Sequence, residues 1–119
     1  MIITYITPVT TVTGNATQTG TNVSTFATPW TLCIECLSMS VGASAQILIQ
    51  DSADGFVSDI LAGPSYIFNG GASKSATIRV SWKQQDWPDL RIGITGCELR
   101  TVVQRFTGTG SLQFRCWIE

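Results

Sequence analysis

Three sets of side chains in this chain have types and spacings that can do chemistry. Cys33-Ile34-Glu35-Cys36 has the two-residue gap of a redox dithiol or of half a zinc site. Asp51, Asp54 and Asp59 gather carboxylates around Gly55, as a calcium loop does. Asp86 and Asp89 flank Trp87-Pro88, a carboxylate pair beside an aromatic ring of the kind glycoside hydrolysis uses. In each case a plainer structural role is the expectation.

A redox CxxC usually opens a helix, whose N-terminus lowers the thiol pKa. Here the motif lies in an extended pattern, where residues three apart point to opposite faces. Cys97 and Cys116 do not form a second CxxC, and the chain has no His to complete a familiar zinc site. All four cysteines are expected to be small buried hydrophobes. If residues 107 and 110 close a hairpin, Cys97 lies about 13 Å from the position that Cys116 faces, at ~3.4 Å per residue. A disulfide needs Cα atoms within roughly 7 Å, so no Cys97–Cys116 bond is expected.

A calcium site needs six to eight oxygens, more than Asp51 and Asp54 supply. Residues 52–56 fit a hairpin turn in which Asp54 and Gly55 take the unusual backbone geometry. Asp86 and Asp89 fit a solvated turn between strands at 75–83 and 89–95. Trp82 and Trp87 remain a candidate sugar-stacking platform. Ser or Cys catalysis has no His partner, Lys74 and Lys83 have no supporting motif, and no phosphate-loop glycine spacing occurs. No catalytic residue, cofactor or metal ligand is expected, and the chain is expected not to be an enzyme.

The elements that position these residues follow from composition and period. The chain has 119 residues, of which 44% are hydrophobic and 13% charged, with a formal net charge of −1. The charged fraction is about half the usual ~25%. That excludes basic nucleic-acid binding and acidic tails as dominant themes. Thr (16), Ser (11), Gln (7) and Asn (3) take the place of ions. Hydroxyls and amides cost less to desolvate than charges, and charge depletion marks interface cores. No apolar run approaches the ~18 residues of a membrane span, so no membrane partner is expected. Nor does Met1-Ile2-Ile3-Thr4-Tyr5 look like a secretory leader, and a reducing compartment is the expectation.

Residues 1–28 carry ten Thr, punctuated by Gly14, Asn15, Gly20 and Asn22. They fit an extended N-terminal arm with a strand near residues 2–6. The arm is loose, ordered against a neighbour or folded along its own domain. Residues 29–119 form one β domain, with a buried central strand at 30–39 and further strands at 45–50 and 64–69. Residues 75–83 alternate most cleanly, with Ala76, Ile78, Val80 and Trp82 on one face. Leu90, Ile92 and Ile94 repeat the pattern. Strands at 97–106 and 111–118 are joined as a hairpin by Thr107-Gly108-Thr109-Gly110. The fold expected is all-β: an antiparallel β-sandwich or jelly roll. Its expected core holds Ile78, Val80, Trp82, Leu90, Ile92, Ile94, Leu99, Leu112, Phe114 and Ile118.

Residues 45–56, Trp82-Lys83, residues 89–94 and the stretch Phe114-Arg115-Cys116-Trp117-Ile118-Glu119 together resemble the small β-sandwich virion proteins of tailed bacteriophages, of the head-decoration (cement) type. The resemblance implies a non-enzymatic protein that stabilises the head by clamping neighbouring subunits. Its implied partners are copies of itself and capsid or tail subunits, and its location is the virion, assembled in the host cytoplasm. A Thr-rich arm adding a strand to a neighbouring sheet suits that role, and many copies on a symmetric shell add avidity. The alternative is a carbohydrate-binding β-sandwich module using Trp82 or Trp87.

Overall fold

Alternation of apolar and polar side chains forces one face of each strand inward, and two sheets close over the apolar set. The computed structural model describes residues 3–26, 29–70 and 78–119. Among these the strands are β1 (Thr4–Val12), β2 (Ala16–Thr17), β3 (Thr21–Asn22), β4 (Thr31–Met39) and β5 (Ser44–Ser52). They continue with β6 (Leu61–Asn69), β7 (Ile78–Lys83), β8 (Glu98–Thr107) and β9 (Leu112–Ile118). A single 3-10 turn, Gln84–Asp86, follows β7.

One sheet has the order β1-β9-β4-β7; the other has β2-β8-β5-β6, with β3 also on β8. The pairings are all antiparallel. The fold is therefore the all-β sandwich that the period implies. We call the first sheet A and the second sheet B. Leu32, Ile34, Phe114 and Ile118 of sheet A face Ile47, Ile49, Leu99 and Val103 of sheet B, all essentially solvent-free. β4 is central, between β9 and β7, as its run of apolar residues on both faces requires.

Three expectations meet the structure. First, of the courses open to the N-terminal segment, residues 4–22 take the one folded along the domain. β1 is paired along β9, while β2 and β3 are paired to β8. Ile6, Thr7, Val12 and Val23 are buried in the sandwich. Four buried side chains, which the Thr-rich composition obscures, offset the ordering entropy that an arm alone could not.

Second, β8 and β9 are not a hairpin. β8 lies in sheet B and β9 in sheet A, so residues 108–111 arch from one sheet to the other. Gly108 (φ +83°) and Gly110 (φ +107°) supply the left-handed backbone that either connection needs. Turn chemistry therefore fixes where the chain turns, not which strand it then joins. Third, residues 89–95 are a run of turns rather than a strand, broken by Gly93 at φ +87°. Leu90 and Ile92 are buried as expected, but Ile94 is 58% exposed. Ile78, Val80 and Trp82 are only partly buried, because β7 is an edge strand packed against the core from one side. Ala76, Lys74 and the start of the expected strand at 75–83 lie outside the described residues.

Candidate functional site

The CxxC thiols part as their spacing requires. Cys36 joins the core cluster, while Cys33 lies on the outer face of sheet A, beside Ser81 and Trp117 in register. All four cysteines are buried thiols outside any disulfide. Burial raises the Cys33 and Cys116 pKa values above the ordinary thiol range and pushes Cys97 up to about 12, with the Asp51 charge adding to the last. Thiols so placed are poor nucleophiles.

The acidic loop connects β5 to β6, so the expected hairpin is present, with residues 53–60 as its loop. Asp54 organises it. Its carboxylate accepts from the Ser52 and Ser58 hydroxyls and from the N–H groups of Val57, Ser58 and Asp59. These donors, the Ser58 hydroxyl foremost, hold its pKa at about 2. Gly55 at φ +69° and Phe56 at φ +64° complete the turn.

Asp51 is not part of that loop's chemistry. It is fully buried and receives the Arg91 backbone N–H at 2.7 Å and Nε at 2.9 Å. Arg91 Nη2 approaches the same carboxylate at 2.6 Å off the hydrogen-bonding direction, and Nη1 reaches Asp59 at 2.6 Å. One guanidinium thus ties the turns at 89–95 to the β5–β6 loop. The sequence pattern put Arg91 on a polar strand face and missed this; only the pairing partner of a buried Asp could have signalled it.

Trp82 and Trp87 are both partly buried against the core. Trp82 projects from the inward face of β7, in register with Leu32, and Trp87 caps the 3-10 turn. An open groove of about 730 Å³ lies at this end, lined by Pro29, Trp30, Thr31, Lys83, Gln84, Gln85 and Pro88. The two candidate platform residues are not among its lining.

The outer faces of the two sheets differ sharply in chemistry. On sheet A, Trp117 is only 5% exposed although it points outward. The guanidiniums of Arg79 and Arg115 each sit 5.1 Å from its ring centroid, and Tyr5 tilts against it at 6.5 Å. Arg115 pairs with Glu35 at 2.6 Å, Arg79 with Glu119 at 3.6 Å, and the indole N–H donates to Glu119 at 3.0 Å. Four charges of this face, Glu35, Arg79, Arg115 and Glu119, are thus paired with one another.

Sheet B is covered instead by amides, hydroxyls and aliphatic groups. Gln104 donates to Gln46 at 3.0 Å, and Gln46 donates to Ser65 at 3.0 Å. Leu48 and Val102 lie in register beside them, and Ser44 and Thr107 share a hydrogen bond at one end. Arg100, near the other end, donates to Gln50 and stacks over Phe56 at 4.0 Å. A row of neutral side chains, hydrogen-bonded to one another, leaves few polar groups to desolvate when covered. Neither a protein-family model, nor a curated protein, nor a solved structure matches this chain.

Proposed function

We propose that this chain is a non-enzymatic structural protein of a phage virion, a capsid-decoration protein that docks by its broad faces rather than by an exchanged arm. The observation that carries the reading is the row of neutral side chains on the outer face of sheet B, between Ser44 at one end and Arg100 at the other. The Gln104–Gln46–Ser65 chain has its hydrogen bonds made within the protein, and Leu48, Val102 and Ile67 stand beside it. Such a row can be buried against a subunit without stranding a charge. Buried, poorly nucleophilic thiols and a loop locked by Asp54 support a rigid building part. Residues 1–28 are not assigned the docking role, because β1 to β3 are built into the chain's own sheets.

The test is co-sedimentation with shells assembled from a major capsid protein of the genome that encodes this chain. The unaltered protein is expected to bind, and Gln46→Glu/Gln104→Glu, which buries two charges at the contact, is expected to weaken binding at least tenfold. Failure of the unaltered protein to bind, or equal binding by the variant, overturns the reading. Tryptophan fluorescence quenched by a glycan would replace it with the carbohydrate-binding alternative.

A further inference from the structure

The two sheets end in edge strands, and natural edges are blunted by charge, proline, bulges or shortness. β1 carries Pro8 and two register shifts, β7 carries Arg79 and Lys83, and β2 and β3 are two residues each. β6 is the exception among the described edges. Its register with β5 slips only upstream, near Pro64; from residue 65 to 69 it is regular, uncharged and free of proline.

The direction of its free hydrogen-bonding groups follows from one bond. Gly70 N–H donates to Ala43 C=O at 2.7 Å, in step with the register that pairs Ser44 with Asn69 and Leu48 with Ser65. Antiparallel alternation then commits the main-chain groups of Phe68 and Tyr66 to β5. Those of Ser65, Ile67 and Asn69 point to the outer edge, which no described strand pairs. The exposed apolar side chains of the strand sit at the same place: Ile67 is 52% exposed on the outer face and Tyr66 is 41% exposed on the core side.

We propose that two copies of this chain join edge to edge through residues 65–69 of β6, antiparallel, about a two-fold axis at Ile67. In that register Ile67 faces its own copy and Ser65 faces Asn69, so every outward-pointing residue meets another. About six main-chain hydrogen bonds close the pair. Tyr66 falls opposite Phe68 of the other copy, extending the Tyr66–Phe68 ring contact of 4.9 Å within each chain. A two-fold axis sets like against like, which repels wherever an edge is charged; this edge carries none. The neutral row Gln104–Gln46–Ile67 then runs unbroken from one copy into the next. The inference goes beyond the virion reading and does not depend on it.

A five-residue strand pair is smaller than the ~1,200–2,000 Å² of a stable interface, so the dimer is weak and concentration-dependent. Sedimentation equilibrium of the full chain, from about 1 µM upward, is expected to show monomer giving way to dimer. Ile67→Lys places two ammoniums across the axis and is expected to raise the dissociation constant at least tenfold, with the melting curve unchanged. Ile67→Cys is expected to form a disulfide-linked dimer under mild oxidation, since paired Cα atoms about 5.5 Å apart suit the bond. Tyr5→Cys, on β1, is expected to give none. A chain that stays monomeric at the highest concentration overturns the inference. So does a dimer that Ile67→Lys leaves intact, or one that Ile67→Cys does not cross-link.

Discussion

The hydroxyls of Thr7 on β1 and Thr101 on β8 meet at 2.7 Å in the interior of the sandwich, both side chains fully enclosed. One hydroxyl donates and the other accepts, so a polar pair ties sheet A to sheet B where two aliphatic side chains would otherwise pack. Thr101→Val leaves the Thr7 hydroxyl unpaired and is expected to cost about 1–3 kcal/mol. Adding Thr7→Val is expected to recover part of that loss. A double-mutant cycle from urea unfolding measures the coupling.

Arg91 holds a carboxylate that is fully enclosed by the protein. Arg91→Met strands Asp51 and is expected to destabilise by about 3–5 kcal/mol. Arg91→Lys is expected to restore only part of it, because an ammonium cannot serve Asp51 and Asp59 together as the guanidinium fork does. Chemical denaturation of the three proteins gives the order.

Alkali should weaken the fold through its thiols. Burial raises Cys33, Cys97 and Cys116 above the ordinary value of 9.0, Cys97 to about 12. The folded pKa exceeds the unfolded one, so this stabilisation is complete below about pH 9 and is lost as pH rises toward 12. The urea midpoint is expected to fall across that window, and to fall less steeply in Cys97→Ala.

Acid acts on the β5–β6 loop in the opposite sense. Asp54 is held at about 2 against an ordinary 3.8, so its contribution is present above pH 3.8 and is lost as pH falls through about 2. Carboxyl NMR shifts are expected to place its midpoint near that lower value. The amide signals of residues 57–59 are expected to broaden below it, and Ser58→Ala to move the midpoint upward.

Residues 90–94 separate burial from mere hydrophobicity. Ile92→Ala is expected to cost about 2–5 kcal/mol, whereas Ile94→Ser is expected to stay within about 0.5 kcal/mol. Thermal melts of the two variants suffice to check the contrast.

These last residues also explain how much was legible beforehand. Leu90, Ile92 and Ile94 alternate as a strand does, but Gly93 and Gly96 take positive φ and Arg91 is drawn down to Asp51. A local period cannot see an ion pair forty residues away. The sandwich itself was legible, because period-2 patterning is a local property and β5, β7 and β9 express it directly. Strand partnership was not, since Thr107-Gly108-Thr109-Gly110 serves a hairpin and an inter-sheet arch equally well. Among the candidate sites, the opposed CxxC thiols and the Asp54 turn followed from spacing. The Arg79–Trp117–Arg115 stack joins two strands that are not consecutive in the chain, and no motif announces it.

β9 lies between β1 and β4, so the first long strand has no neighbour in its sheet until about a hundred residues later in the chain. A polypeptide emerging from the ribosome must therefore carry β1 unpaired until about a hundred further residues have been made. Long-range pairing of this kind slows folding toward the millisecond-to-second regime. The gain is an all-or-none closure: β9, the strand that completes the sheet, is also the one that holds β1 to β4.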